Sequence, residues 1–360
     1  MDHQSKDDVK QSLKVAGVVA FYMGAALVMV FVNKAVLNSS PDLPLLFLLI
    51  QLILAVVLLH AGAFITPKIE IPQLELKTAK KLMLVTLVNV IGLVFNILCL
   101  RGVEASFFQI ARGLVLPLTI FVSSASTSSL PSIRVILAAI VVTFGFLVGV
   151  APESLENVRQ MASAPSGISI FYGVVSSLFI AVHAVLIKSS LPHVHSSTIQ
   201  LAYWQNLGSS LFLAPFILIQ GEHLRLLELI RTPSWNGNVF AWGSFITGVF
   251  GFLLCVAGLL SIKVTSPITH MFSSAARSVL QTLLGVWLFN DLLTLNRGLS
   301  ILVILLGTMY YTWVKSVETA QARPSVPRTK PTDIEANRVK DIEETTIMWE
   351  ADEKRVSERD

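Results

Sequence analysis

The stretch VILAAIVVTFGFLVGV, residues 135–150, decides the class of fold, because it contains no charged side chain and Thr143 as its one hydroxyl residue. A helix made of these residues is apolar on every face, which is typical of a helix surrounded by lipid and other helices. A membrane β-strand would instead alternate apolar and polar residues over about ten positions. The stretch therefore predicts a transmembrane helix and not a strand of a β-barrel.

The composition of the whole chain agrees with this stretch. Of the 360 residues, 53% are hydrophobic and 14% are charged, and the mean hydropathy is +0.69. A water-soluble domain carries about 25% charged residues, and a disordered chain is poor in apolar ones. Both classes are excluded, so most of the chain is expected to lie in a membrane. Cys99 and Cys255 lie inside apolar runs and give no disulfide framework.

Ten stretches of the chain are long and apolar enough to cross a bilayer, which takes roughly 20 residues for about 30 Å of hydrocarbon. Turn-forming residues bound them, among them Pro41, Pro131 and Gly237. We therefore predict an all-α membrane protein with ten transmembrane helices. The predicted spans lie near residues 14–37, 44–66, 80–101, 103–125, 132–151, 167–190, 199–220, 237–260, 265–290 and 296–315.

The charges outside the spans indicate which side of the membrane each end occupies. An even number of spans places both termini on one side. Taking that side as the cytosol puts eleven lysines and arginines there and six opposite, in agreement with the positive-inside rule. Residues 1–13 are then a cytosolic N-terminal tail. Residues 316–360, with 8 basic and 11 acidic side chains, are expected to form a disordered cytosolic tail.

The two halves of the chain resemble each other. Placing Lys34 on Lys188 also places Gln51 on Gln205 at the same offset. A repeat of five helices is odd in number, so the second copy enters the membrane upside down. Inverted repeats are a recurring architecture of secondary transporters, which hold the substrate near the midplane where the halves meet. The two predicted inverted five-helix repeats comprise residues 14–151 and residues 167–315.

Arg112 and Arg277 are the most informative charged residues, because each lies well inside an apolar span. A guanidinium group at that depth costs about 2.5–3.5 kcal/mol on insertion scales. The nearest candidate acid is Glu104, two turns before Arg112 and at a span edge. Two uncompensated arginines facing one cavity form an anion site, and their planar forks suit phosphate oxygens. The alternative is that each arginine bonds helix carbonyls or extends to the headgroups.

Other polar side chains in or beside the spans complete the predicted substrate site. Lys34 lies near a span end, where extension of the ammonium group to the headgroups is the alternative. Lys263 precedes a Thr-Ser-Pro sequence that can open a helix with free N–H groups for an anion. Residues 203–206 offer a stacking face and amides for a nucleobase, although aromatic residues at a membrane edge often belong to the interfacial belt. The predicted substrate-binding residues are Arg112, Arg277, Lys34, Lys263, Gln51, Asn96, Tyr203, Trp204, Gln205, Asn206, Thr269, His270 and Ser274.

The sequence contains no pattern typical of an enzyme. It lacks a Walker A loop, a nucleophile elbow, an HExxH motif and paired carboxylates. The loop pair His193 and His195 has no further Cys or His neighbour, so no metal site is expected there. Acids are essentially absent from the spans, which leaves a carboxylate proton relay without a carrier. We therefore expect a protein that is not an enzyme and that has no cofactor and no metal.

Several short motifs in the spans are shared with a known group of membrane carriers. They are FVNK at 31–34, FNILCLR at 95–101, ARGL at 111–114 and, most specifically, KVTSPITH at 263–270 followed by Arg277, Gln281 and Thr282. With these motifs the chain resembles the drug/metabolite transporter superfamily over about residues 14–316. Within it the chain is similar to the nucleotide-sugar and triose-phosphate transporter branch, and most similar to the GDP-fucose transporters.

This resemblance implies a ten-helix Golgi antiporter that imports a cytosolic nucleotide sugar and exports a lumenal nucleoside monophosphate. Guanine-reading relatives carry Phe-Tyr-Asn-Asn where this chain has Tyr-Trp-Gln-Asn at 203–206, although Gln205 offers the same amide one carbon farther out. Ser-Ala-Ala-Arg-Ser at 274–278 replaces the Gly-Ala-Leu-Asn-Lys element of GDP-mannose transporters, which argues against GDP-mannose. The implied partners are the nucleotide sugar, the nucleoside monophosphate and the lipid bilayer, without nucleic acid and with a homodimer left open.

Two other functions stay compatible with the sequence. One keeps transport but exchanges a small phosphorylated metabolite, such as a triose phosphate, for inorganic phosphate. The other is a non-transporting membrane scaffold whose charged tail recruits partners. In the carrier hypothesis, Arg112 and Arg277 bind the diphosphate at the repeat interface, span seven binds the base, and the halves rock about this site.

Overall fold

The computed structural model describes residues 2–66, 69–151, 167–264, 267–291 and 293–322, and every regular element in these ranges is helical. Within them the chain forms twelve α-helices and one 3₁₀ turn, Leu191–Val194. In chain order the helices are α1 (Asp2–Ser39), α2 (Pro44–Ile65), α3 (Leu76–Gly102), α4 (Ala105–Gly113), α5 (Val115–Thr127), α6 (Ile133–Val150), α7 (Gly167–Ser190), α8 (Thr198–Gln220), α9 (Glu222–Ile230), α10 (Gly237–Val264), α11 (Pro267–Phe289) and α12 (Leu295–Ala322).

Eight helices in the described ranges are long and apolar enough to cross a membrane. α8 and α9 pass the same test together across a 67° bend, so they make a ninth candidate. In α11, the described apolar part is the shorter helix Arg277–Phe289. An all-helical, multi-pass membrane fold is therefore confirmed. The ten spans in two inverted repeats stay a prediction.

Local sequence explains where several helices begin and end. Ser132 and Ser197 are N-caps, because their hydroxyl oxygens accept hydrogen bonds from the backbone N–H groups of Val135 and Gln200 at 3.4 and 3.3 Å. Gly221 ends α8 in the left-handed region with φ +72°, which glycine adopts without a Cβ clash. This residue allows the sharp bend between α8 and α9.

The predicted span near residues 103–125 consists of two helices, α4 and α5, which meet at Leu114. One candidate span, Phe107–Thr127, covers both. Val103 and Glu104 have extended backbone conformations between α3 and α4. This short extended segment separates two predicted spans that almost run together in the sequence.

The helices pack in pairs that join the first half of the chain to the second. α1 packs along α10 and α3 packs along α7, and these are the two most extensive pairings. α2 lies against α10 and α8, α3 also lies against α8, and α11 lies against α4 and α1. Each of these pairs joins a helix before residue 151 to one after residue 167. The two halves therefore share one packed core, which contains the buried side chains of Phe47, Phe107 and Ile110.

Large apolar side chains also cover the outside of the helices. Phe121, Ile140, Phe216, Trp242 and Trp287 are each more than half exposed. Contiguous exposed apolar surface of this kind is rare on monomeric soluble proteins. It is the surface expected of helices that contact lipid.

Contacts divide the chain into Met1–Ser316 and Val317–Asp360. The described part of the second unit is residues 317–322, the end of α12. The predicted C-terminal tail, residues 316–360, therefore lies mostly outside the described residues. At the other end α1 begins at Asp2, so the predicted N-terminal tail is helical from that residue onward.

Candidate functional site

α4 holds Arg112 at a defined place in the core. The two residues before it, Ile110 and Ala111, are buried. Ser177 of α7 donates a hydrogen bond from its hydroxyl to the Ala111 carbonyl at 2.9 Å. Gly173 allows α7 to approach this closely, because a Cβ atom there would lie 2.9 Å from the Ala111 Cβ. The backbone that carries Arg112 is therefore packed tightly against α7.

Arg112 and Arg277 are brought together by the packing of α11 on α4. Arg112 interacts electrostatically with Arg277 and with Tyr22 of α1. The Arg112 Cζ lies 5.7 Å from the centroid of the Phe108 ring, and the Arg277 Cζ lies 5.9 Å from the centroid of the Tyr22 ring. Aromatic faces attract cations but do not neutralise them. Two positive charges from opposite halves of the chain thus lie close enough to interact, and Tyr22 is near both.

Neither of these guanidinium groups takes part in the ion pairs seen among the described residues, such as Arg225–Asp42 and Arg297–Glu104. The Nε atom of Arg277 is buried and has no hydrogen-bond partner among the described residues. An unsatisfied buried donor costs about 1–3 kcal/mol, and two like charges at short range repel each other. An anion with several oxygens relieves both penalties.

Glu104, the acid nearest to Arg112 in the sequence, pairs with a different arginine. It forms an ion pair with Arg297 of α12, and the two side chains are 17% and 9% exposed. The Arg297 Cζ lies 5.7 Å from the centroid of the Phe107 ring. Gln281 of α11 donates a hydrogen bond to the Ala105 carbonyl at 3.0 Å. These contacts join the start of α4 to α11 and α12.

Lys34 is buried, and its ammonium group bonds the backbone. The Nζ atom donates to the carbonyl oxygens of Val103, Leu100 and Arg101 at 2.6, 3.0 and 3.4 Å. These carbonyls lie at and just beyond the end of α3, where a helix leaves carbonyls unsatisfied. Lys34 therefore caps α3 in this conformation. Its predicted role in substrate binding stays a prediction.

A cavity with a mostly apolar lining and two side-chain amides, which we name the amide cavity, lies between α1, α2, α8 and α10. The Gln51 Nε2 donates to the Asn33 Oδ1 and to the Thr247 Oγ1, both at 2.8 Å. Gln51, Thr247 and Asn206 line this cavity, which has a volume of about 240 Å³. Two residues of the predicted substrate site, Gln51 and Asn206, are thus brought to one cavity.

The amide cavity and the arginine pair contact the same face of α1. Met29 lines the cavity, and Tyr22, seven residues earlier, lies under Arg277. Residues seven apart share a helix face and are separated by about 10 Å along the axis. An elongated ligand with an anionic part and a polar cyclic part can contact both regions.

The other predicted residues of α8 make packing contacts. Trp204 is buried in an apolar cluster, and the Tyr203 ring centroid lies 5.3 Å from that of His60. The Gln205 Nε2 lies 2.8 Å from the His183 Nε2. These three side chains are not among the residues that line the amide cavity.

The remaining predicted site residues give less information. Asn96 is half-buried on α3. The side chains of four others, Lys263, Thr269, His270 and Ser274, lie outside the described residues. Substrate binding by these five residues stays a prediction.

Three residues of the observed arrangement are absent from the predicted set: Tyr22, Asn33 and Thr247. Each is a polar side chain inside an otherwise apolar span. That feature is a usable signal, because a polar group at this depth needs a partner. The sequence does not indicate which partner, since Thr247 and Gln51 are separated by 196 positions.

Known proteins match most of the chain. GDP-fucose transporter 1 of Dictyostelium discoideum is 29% identical over 311 residues, which cover 84% of this chain and 81% of that protein. The Golgi GDP-fucose transporter of Drosophila melanogaster is 28% identical, over 86% of this chain and 92% of that protein. An uncharacterized transporter of Schizosaccharomyces pombe is 32% identical, over 81% and 73%. Residues 13–312 match the Triose-phosphate Transporter family, and the chain therefore belongs to that family.

Proposed function

We propose that the chain is a secondary-active antiporter of the Golgi membrane. It carries a GDP-fucose-like nucleotide sugar into the lumen in exchange for a nucleoside monophosphate, with both of its termini in the cytosol, and it is not an enzyme. The observation that carries this proposal is the adjacent pair Arg112 and Arg277, which no described carboxylate neutralises. Relatives named as GDP-fucose transporters, one of them with Golgi in its name, support the substrate and the membrane.

In this proposal the arginine pair binds the diphosphate. A guanidinium group donates two parallel N–H bonds to a phosphate, and such charge-assisted bonds are about twice as strong as neutral ones. The ligand also satisfies the buried Arg277 Nε and offsets the repulsion between Arg112 and Arg277. The empty carrier keeps two uncompensated charges, so it changes conformation slowly, and exchange is favoured over net transport.

The base and the sugar need other contacts, because arginines recognise charge and not the identity of a base. The amide cavity supplies the side-chain carbonyl oxygen of Gln51 as an acceptor, since both Gln51 N–H groups bond Asn33 and Thr247. Asn206 adds its own carbonyl oxygen and one N–H, because its Nδ2 donates one hydrogen bond to the Ala202 carbonyl. The cavity lies about 10 Å along α1 from the arginine pair. We infer that the nucleoside part of the ligand binds there.

The helix pairings support two inverted repeats. In the predicted repeats, α1 corresponds to α7 and α3 corresponds to α10. Exchanging the two halves therefore turns the pair α1–α10 into the pair α7–α3. These two pairs have the most extensive contacts in the structure. The pair α4–α11, which carries Arg112 and Arg277, maps onto itself and would lie on the axis that relates the halves. Rocking of one half against the other about this axis then exposes the site to each side in turn.

Counterflow in liposomes tests the proposed function. Purified full-length protein is reconstituted into vesicles preloaded with GMP, UMP, AMP or inorganic phosphate, and uptake of radiolabelled GDP-fucose is measured. We expect the fastest uptake with GMP inside, and loss of uptake in Arg112→Gln and Arg277→Gln. Arg134→Gln, which changes an exposed arginine at the start of α6, is the matched control.

The same vesicles separate the alternatives. The name of the family favours a second candidate, exchange of a phosphorylated metabolite for phosphate. Rapid exchange of labelled phosphate or triose phosphate, without GDP-fucose uptake under any loading, would establish that function instead. A scaffold role predicts no exchange of any of these solutes and a phenotype in cells only when residues 323–360 are deleted.

A further inference from the structure

A groove between α3 and α8 lies apart from the arginine pair and the amide cavity. Its volume is about 440 Å³. One wall runs along α3 from Leu87 to Leu98, and Phe212 and Phe216 of α8 line the other wall. Leu87 and Phe216 are 40% and 58% exposed, so the groove opens toward the lipid-facing surface.

The apolar part of this groove matches one leaflet in length. The eleven-residue separation of Leu87 and Leu98 corresponds to about 16 Å of helix. Half of the hydrocarbon core of a bilayer is about 15 Å thick. An apolar channel of this length, open to lipid and charged at one end, has the dimensions of a single acyl chain with its headgroup.

The charged end of the groove carries two groups of each sign: Arg101, Arg225, Asp42 and Glu222. The Arg225 Nη1 lies 3.7 Å from the Asp42 Oδ2, and both side chains are more than half exposed. The Arg101 Nη1 donates to the Pro41 carbonyl at 3.1 Å. Both guanidinium groups keep further N–H donors, since each has five.

Glu222 has a structural role at this end. It is buried, and its carboxyl oxygens accept hydrogen bonds from the backbone N–H groups of Leu45 and Leu46 at 3.2 and 2.7 Å. It thereby joins α9 to the first turn of α2, where free N–H groups favour a carboxylate. The groups that stay accessible to a ligand are the two guanidinium groups and the Asp42 carboxylate.

We propose that this groove binds one molecule of phosphatidylethanolamine. One of its two acyl chains lies along α3 and the other stays in the bilayer. The phosphate accepts hydrogen bonds from Arg101 and Arg225, and the ammonium group donates to Asp42. Charges of both signs at the groove end complement a headgroup that carries both signs. Phosphatidylglycerol has no cation for Asp42, and the quaternary ammonium of phosphatidylcholine has no N–H to donate.

Lipid retention by the full-length protein tests this proposal. The protein is purified in detergent and mixed with phosphatidylethanolamine, phosphatidylcholine or phosphatidylglycerol of identical acyl chains, and bound lipid is counted by native mass spectrometry. Phosphatidylethanolamine is expected to be retained best and to give the largest rise in melting temperature. The double variant Arg101→Gln, Arg225→Gln is expected to weaken this binding about 100-fold, as for the loss of two charge-assisted hydrogen bonds. Arg231→Gln, an exposed arginine outside the groove lining, is the matched control.

A second variant keeps the test independent of the charged groups. Leu87→Trp fills the groove from an exposed position of its apolar wall, so it is expected to abolish lipid retention while the melting temperature without lipid stays near that of the wild type. Equal retention of the three lipids, a preference for phosphatidylglycerol, or the same stabilisation by soluble phosphoethanolamine would overturn the proposal. None of these readouts depends on transport, so they are separate from the test of the proposed function.

Discussion

Two groups of cations in the core of this protein differ in what surrounds them. At the turn between α3 and α4, Lys34 donates to three backbone carbonyls and Arg297 pairs with Glu104. Farther along α4 and α11, Arg112 and Arg277 have no described carboxylate. Both groups belong to helices with apolar sequences, so depth alone does not distinguish them. A buried charge needs a partner, and at the second group a bound anion can be that partner.

The largest effect is expected at the arginine pair. The double variant Arg112→Gln, Arg277→Gln removes two sets of charge-assisted bonds to the ligand, so nucleotide counterflow should fall on the order of 1000-fold. Its melting temperature should equal or exceed that of the wild type, because the repulsion and the unsatisfied Nε disappear. Counterflow and thermal unfolding on the same preparations measure both. A large loss of stability would indicate that these arginines are structural, like Arg297.

The ion pair between Glu104 and Arg297, in the first group of cations, is expected to affect stability directly. Glu104→Gln removes a carboxylate from contact with the Arg297 side chain, which is 9% exposed, and should destabilise the protein by about 3 kcal/mol. Denaturant unfolding in detergent measures the change. The double variant Glu104→Gln, Arg297→Gln should recover part of the loss, because the buried guanidinium charge is removed together with the Glu104 carboxylate. Additive losses in the double variant would show that the two side chains do not act as a pair.

Lys34 belongs to the same group of cations as Arg297 and gives a second test of the comparison. Lys34→Met keeps an unbranched side chain, one atom shorter, but leaves the carbonyls of Leu100 and Val103 without their donor, so we expect a loss of about 2 kcal/mol in stability. Thermal unfolding measures this loss, and the KM of counterflow tests the predicted substrate role. Unchanged stability together with a raised KM would move Lys34 from the first group to the second.

The smallest effect is expected at the amide cavity. Asn206→Leu removes one neutral hydrogen-bonding group from the cavity lining, so the KM for the nucleotide should rise about fivefold, as for a loss of ~1 kcal/mol. Uptake at varied nucleotide concentration gives KM and kcat separately. Asn38→Leu, at an exposed position near the end of α1, is the matched control. An equal change in both variants would exclude a specific role for the cavity.

Much of the fold follows from local sequence, because a span is defined by the length and polarity of a single stretch. The run at 135–150 lies within α6, Ile133–Val150, and the stretch predicted at 199–220 is α8, Thr198–Gln220. The break between α4 and α5 at Leu114 is not in the predicted spans. Gly113 and Pro117 are a local signal for it, because Pro117 has no N–H to donate to the Gly113 carbonyl.

The site is only partly predictable for a different reason. Arg112 and Arg277 stand out as charges in apolar runs. The similarity of the two halves of the chain predicts that these residues lie near each other. The pairing of Glu104 with Arg297 cannot be predicted from the sequence, because the two residues are 193 positions apart. Lys34 likewise bonds carbonyls 66 to 69 positions away. Partners of this kind depend on tertiary packing, which a single sequence does not encode in any local pattern.

We propose above that Arg112 and Arg277 together bind an anionic ligand. Equilibrium binding of GMP measures this property without the need for transport. Radiolabelled GMP is titrated onto purified protein in detergent, with the double variant Arg112→Gln, Arg277→Gln and the control Arg134→Gln alongside. We expect saturable binding of GMP to the wild type and to Arg134→Gln. We expect no binding to the double variant, with thermal unfolding at the wild-type temperature showing that this variant is folded. Undiminished GMP binding by that folded double variant would contradict the proposal.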